Sequence, residues 1–160
     1  MPLPPTARLR LTRFLTVTLV ALTAALAGPP ADAQAAVTSF SAAAGVSAVR
    51  YAASEKGRPY TRGGVTHARG FDCSGLVTFV YNTRLARRLP RTTDAQYRAS
   101  AAVAKRSMRP GDLVFFTSGG RAYHVGIYAG HNKMWHAPKP GDKVKLVTLW
   151  TTRWVGRRPR

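Results

Sequence analysis

The sequence predicts an α+β domain in which N-terminal helices pack on a small antiparallel sheet. Three observations carry that prediction. Segments rich in Ala, Val and Tyr with helical spacing fill the first half of the region after residue 33. Short runs of β-branched and aromatic residues, separated by Gly- or Pro-rich turns, fill the second half. Residues 34–160 also make one stretch of 127 residues, long enough to bury a core without disulfide staples.

Residues 1–33 are set aside as a signal peptide. Arg8, Arg10 and Arg13 give a positive start, and residues 14–27 are uncharged and mostly apolar. Gly28-Pro29-Pro30 breaks that run, and Ala31-Asp32-Ala33 offers the small residues a signal peptidase reads. Cleavage is expected between Ala33 and Gln34, with a retained single-span anchor as the alternative. Residues 34–45 then form a short N-terminal segment, and 46–160 the domain that carries the chemistry. Such a leader implies a secreted or wall-held chain with no transmembrane segment after processing.

The elements follow in order. Residues 38–56 read as a helix ended by Gly57 and Pro59. Gly63-Gly64 and Gly70 mark a loop leading to Cys73. From there Leu76, Val77, Phe79, Val80 and Tyr81 keep helical spacing to about Arg84. Residues 85–110 read as irregular, with one helical turn near 94–100. Strands are expected over 112–116, 122–128, 133–136 and 143–149, with Asp112 a turn residue opening the first.

Cys73 is the only cysteine, so it has no internal disulfide partner. It sits in Phe71-Asp72-Cys73-Ser74-Gly75 at the start of a helix, a setting where the helix dipole and unpaired N–H groups favour a thiolate. A histidine brought to it by the fold would complete a nucleophile and base. Along 122–128, Tyr123, Val125 and Ile127 share one face, and His124, Gly126 and Tyr128 the other. Gly126 leaves room beside the imidazole for a helix terminus. In the next strand Met134 and His136 share a face. If these strands pair through the turn at Gly130-His131-Asn132, cross-strand neighbours lie within roughly 5 Å. His136 can then hydrogen-bond one nitrogen of His124 while the other faces Cys73. His131 in its turn and His67 in its Gly-rich loop are expected at the surface.

The chain carries a formal charge of +19. Removing three arginines and Asp32 with the leader leaves +17, a field that favours polyanions. No zinc-finger spacing or aromatic RNA-binding signature is present, so specific nucleic-acid binding is not expected. Anionic wall polymers are a possible partner, and a merely solvated basic surface is the alternative. No CxxC or HxxxH spacing exists, so neither a metal nor another cofactor is expected. The chain is expected to be a monomer.

An ordered set of motifs adds to this reading: Gly57-Arg58-Pro59-Tyr60, Gly63-Gly64, Phe71-Asp72-Cys73-Ser74-Gly75-Leu76, Leu89-Pro90-Arg91-Thr92, Gln96-Tyr97, Arg109-Pro110-Gly111-Asp112-Leu113-Val114-Phe115-Phe116, His124-Val125-Gly126-Ile127-Tyr128 and Met134-Trp135-His136-Ala137-Pro138. Together they resemble the NlpC/P60 family of cell-wall cysteine peptidases, over about residues 46–157, nearly the whole mature chain. The resemblance implies a papain-like α+β fold and hydrolysis of an amide bond in peptidoglycan stem peptides, typically between γ-linked D-glutamate and a diamino acid. It implies Cys73 as nucleophile, His124 as base and His136 as the residue orienting it. Tyr60 would help hold the oxyanion, and Asp72 and Ser74 would line the substrate groove. Arg91 and Gln96 edge the groove or lie on the surface. Arg62 departs from the aromatic residue common before the Gly-Gly pair, and could pair with a substrate carboxylate.

Two other readings stay open at this stage. One is an acyltransferase using the same Cys/His set, although lipid-linked acyltransferases of the broader superfamily place the histidine before the cysteine. The other is a non-catalytic cationic protein that binds the wall through its charge.

Overall fold

The structure, a computed structural model, describes residues 40–160. The expected leader over 1–33 and residues 34–39 lie outside the described residues. Among those described, no helix is long and apolar enough to cross a membrane.

Helix α1 (Ala42–Ser54) begins where Ser41 caps it, its Oγ accepting the Ala44 N–H at 3.1 Å. The expected start at residue 38 is therefore too early at least for Phe40 and Ser41, and Thr38 is outside the described residues. α1 buries Gly45, Ala48 and Ala52. Phe40, ahead of it, joins the same core. Gly57 takes φ 84° just past the helix, a conformation that favours glycine.

A hairpin of β1 (Val65–Thr66) and β2 (Gly70–Phe71) follows. Helix α2 (Cys73–Thr78) then runs directly into a π-helical segment, Phe79–Arg84. Leu76, Val77, Phe79, Val80 and Tyr81 are buried, as their spacing predicts. Helix α3 (Thr93–Ala99) occupies the expected single turn, and β3 (Ala101–Val103) and a 3-10 turn (Lys105–Ser107) replace irregular chain.

The remaining strands are β4 (Leu113–Ser118), β5 (Arg121–Gly130), β6 (Lys133–His136), β7 (Lys145–Thr148) and β8 (Val155–Arg158). With β3 they form a six-stranded sheet in the order β3-β8-β4-β5-β6-β7, every neighbouring pair antiparallel. The sheet has two more strands than the four expected, β3 and β8, which form through long-range pairing of β8 with both β3 and β4. The helices pack on the face that carries Leu113, Phe115, Val125 and Ile127. The opposite face carries Val114, Phe116, Met134 and Leu149.

Two expectations about β5 are corrected. Phe116 pairs with His124 but Thr117 pairs with Ala122, leaving Tyr123 as the extra residue of a β-bulge. Ala122 therefore joins Val125 and Ile127 in the helix-facing core, and Tyr123 points away, 64% exposed. The space beside Gly126 admits no helix terminus, because a Cβ there would lie 2.6 Å from Met134 Sδ and 3.0 Å from the Trp135 carbonyl oxygen. Asp112 is more than a turn residue: its fully buried carboxylate accepts from Arg158 Nε at 2.7 Å and Nη2 at 2.8 Å, and from the Arg109 N–H at 2.8 Å.

Candidate active site

Cys73 opens α2, and Asp72 fixes that opening. Asp72 Oδ1 accepts the Gly75 N–H at 2.7 Å, and Oδ2 accepts the Gly63 N–H at 2.8 Å. Arg91 grips both oxygens through its two terminal nitrogens, at 3.0 and 2.7 Å, and donates to Ser74 Oγ at 2.9 Å. Burial alone would raise the Asp72 carboxyl, but the Arg91 bonds and these N–H groups outweigh it and hold it below the usual carboxylate range. Asp72 thus borders the groove as the builder of the helix start, its oxygens already engaged.

The glycines nearby let the helix and loop approach. A Cβ on Gly75 would sit 1.8 Å from the Gly64 carbonyl oxygen. Gln96, buried beneath, donates to the carbonyls of Ser74 at 3.0 Å and Pro90 at 2.9 Å. Arg91 edges the groove as well as bracing it, whereas Gln96 is internal support. Arg91→Ala is expected to lower stability by about 2 kcal/mol, the usual scale for hydrogen bonds to a charged group. Arg91→Lys, which keeps the charge and loses the fork, should recover little of it. An unchanged urea midpoint in Arg91→Ala would show the clamp to be idle.

Cys73 Sγ lies 3.4 Å from Thr93 Oγ1 at the start of α3. Thr93 is a neighbour of the thiol that the sequence reading missed, since only the fold brings α3 against α2. No hydrogen bond joins Sγ to either imidazole among the described residues.

The two histidines meet as expected. His124 Nε2 and His136 Nδ1 are 2.9 Å apart, with the rings near-perpendicular at 75°. That bond leaves His124 Nδ1 as the free nitrogen. For Nδ1 to act as a base, Nε2 must carry the ring hydrogen and donate it to His136 Nδ1. His136 then holds its own hydrogen on Nε2, a buried atom with no partner. Burial pushes His124 down to about 4. It pushes His136 down to about 4 as well, with the nearby His124 and Lys145 acting in the same direction and Asp142 opposing. Both rings are therefore neutral at neutral pH.

Unfolded histidines take up protons near pH 6.5, whereas the folded pair resists until about pH 4. Stability from the pair is complete above about pH 6.5 and is lost as pH falls from there toward 4. The thermal midpoint should drop across that window, and the drop should shrink in His136→Gln. A flat midpoint between pH 7 and 4.5 would contradict the buried neutral pair.

A groove of about 1230 Å³ runs past Cys73, bordered by Tyr60, Arg62, Ser74, Ala122 and Tyr123. Burial raises the Tyr60 phenol above its ordinary value, and Cys73 and Asp72 add to the effect, so its hydroxyl remains a donor at neutral pH. Arg62 stands on the groove wall, as its place before Gly63 suggested. His131 is exposed in its turn at φ 49°. His67 is half-exposed but not free, with Nδ1 2.8 Å from the buried Glu55 carboxylate. Among the described residues no group of three or more His, Cys, Asp or Glu side chains is placed to hold a metal ion.

The sequence and the fold both have known relatives. The murein DD-endopeptidase MepH of Escherichia coli is 39% identical over 110 residues, which cover 64% of this chain and 41% of that protein. The gamma-DL-glutamyl hydrolase of Bacillus subtilis is 37% identical over 123 residues, covering 73% of this chain and 30% of that protein. The chain thus spans less than half the length of these relatives. Among solved structures, the NlpC/p60 domain of peptidoglycan hydrolase SagA superposes with TM-score 0.66 at 33% identity, covering 72% of this chain and 98% of that one. The peptidoglycan hydrolase RipB of Mycobacterium tuberculosis gives TM-score 0.64 at 29% identity, covering 81% and 67%. The NlpC/P60 family model matches residues 57–158, from the loop ahead of Tyr60 to the last strand, and the chain belongs to the NlpC/P60 family.

Proposed function

We propose that this chain is an exported cysteine endopeptidase acting at the cell wall, where it hydrolyses an amide bond in peptidoglycan stem peptides, between γ-D-glutamate and the following diamino acid. The observation that carries this reading is the His124 Nε2–His136 Nδ1 hydrogen bond, which leaves a neutral Nδ1 available as a base. A second B. subtilis relative, the gamma-D-glutamyl-L-lysine dipeptidyl-peptidase, supports the choice of bond. It is 37% identical over 99 residues, covering 60% of this chain and 33% of that protein.

The chemistry is acyl transfer to water. His124 Nδ1 takes the Cys73 proton as the sulfur attacks the carbonyl carbon. Negative charge develops on the carbonyl oxygen, where the Tyr60 hydroxyl and the Cys73 backbone N–H can donate. The C–N bond breaks, and His124 returns the proton to the leaving nitrogen. Water, deprotonated by the same nitrogen, then opens the thioester and regenerates the thiol. His136 holds the His124 ring in the tautomer that makes each step possible.

The test is mass spectrometry of purified peptidoglycan digested by residues 34–160. Fragments ending in γ-D-glutamate, with a diamino acid newly N-terminal, are expected. Fragments cut at a D,D crosslink instead would move the bond, and no fragments at all would remove the endopeptidase reading.

A further inference from the structure

We propose that the pocket beside the two histidines is the subsite for the leaving group, and that Tyr123, Trp150 and Lys139 make it selective for an amine-side residue carrying a free carboxylate. This rests on the endopeptidase reading and extends it to the other side of the cleaved bond.

The pocket measures about 280 Å³ and lies against His124 and His136. Tyr123 borders both it and the groove at Cys73, so the two spaces adjoin across the bulge in β5. A proton delivered by His124 must reach the leaving nitrogen, so the residue bearing that nitrogen extends on the imidazole side. The walls have a definite chemistry. Tyr123 and Trp150 are 64% and 61% exposed, an unusual placement for two large aromatic side chains. Both rest on the buried Phe116: Trp150 stacks on it at 4.9 Å with 5° between the planes, and Tyr123 lies 6.4 Å from it. Two rings held by a buried third form a platform that needs little ordering when a ligand arrives.

The polar groups match one kind of occupant. No acidic side chain lines the pocket, and with the two histidines neutral Lys139 is the one cation on its walls. Lys139 Nζ makes no ion pair among the described residues. His136 Nε2, on the same wall, is a buried nitrogen with no partner. A residue with a methylene chain for the rings and a carboxylate for Lys139 complements these walls. A neutral sugar would leave Lys139 without a counter-charge.

The experiment compares two synthetic stem peptides, identical except that the leaving-side carboxylate is free or amidated. Wild type should favour the free acid by about 5-fold in kcat/KM, the scale of a solvent-exposed ion pair. In Lys139→Met that ratio should fall to about 1. Trp150→Ala should raise KM for both peptides while the ratio persists. Thermal midpoints, expected near wild type for these exposed positions, check that both variants fold. Equal rates on the two peptides in wild type, a preference that survives Lys139→Met, or an unchanged KM in Trp150→Ala would each overturn the assignment. These results leave the endopeptidase reading standing so long as Cys73-dependent cleavage is seen. Absence of that cleavage on either peptide removes both.

Discussion

Replacing Cys73 by Ala should reduce stem-peptide cleavage on the order of 10⁴-fold or more while leaving the fold in place. The expected size comes from the chemistry: without sulfur there is no covalent intermediate, and the base has nothing to activate but water. The fold should survive because the side chain is only half-buried and its one polar contact among the described residues is the 3.4 Å approach to Thr93. What sets the helix start is Asp72, with Arg91 and the Gly75 N–H, none of which the change touches. A stability loss of about 1 kcal/mol or less is expected. Circular dichroism beside the digestion assay separates the two effects. A folded Cys73→Ala protein that still released stem-peptide fragments would exclude Cys73 as the nucleophile.

The largest stability effect should come from a residue outside the site. Asp112→Ala removes a fully buried carboxylate that Arg158 grips at two points, the guanidinium itself being 28% exposed. Truncating one partner of such a pair leaves the other charge poorly matched and costs about 3–5 kcal/mol. That is a large share of the roughly 5–15 kcal/mol that holds a domain of this size together. The Arg109 N–H would also lose its acceptor. Arg158 Nη2 retains the Ser107 carbonyl at 3.1 Å, which softens the loss without replacing the bidentate contact. Urea unfolding of Asp112→Ala and Arg158→Ala should show losses of similar size, and the double variant should lose less than their sum. Additive losses would mean that the two side chains act independently.

The residues that meet across β5 and β6 were legible because period-two alternation fixes which side chains share a face, and the Gly130-His131-Asn132 turn fixes the pairing. The thiol was legible for a local reason as well, since Asp before a helix start and Gly within its first turn are short-range signals. What stayed hidden depends on long-range neighbours. β8 contains Gly156 and two arginines, and its strand character comes from pairing with β3 on one side and β4 on the other. β1 and β2, two residues each, are too short to show alternation. Asp112 carries an ordinary turn signature after Pro110-Gly111, and nothing local points to Arg158. The bulge at Tyr123 is likewise a product of two strands in register. That single offset takes Tyr123 off the face of Val125 and Ile127 and leaves it exposed beside the histidines.

The position of β8 also governs when the sheet can be completed. A nascent chain ending at residue 150 already holds Cys73, His124 and His136, yet it lacks the strand that ties β3 to β4 and the arginine that neutralises Asp112. Assembly of the sheet must await a segment far along the chain from its partners, the kind of contact that forms late. A polypeptide still emerging from a ribosome thus carries Cys73, His124 and His136 before the sheet that runs from β3 to β7 is closed.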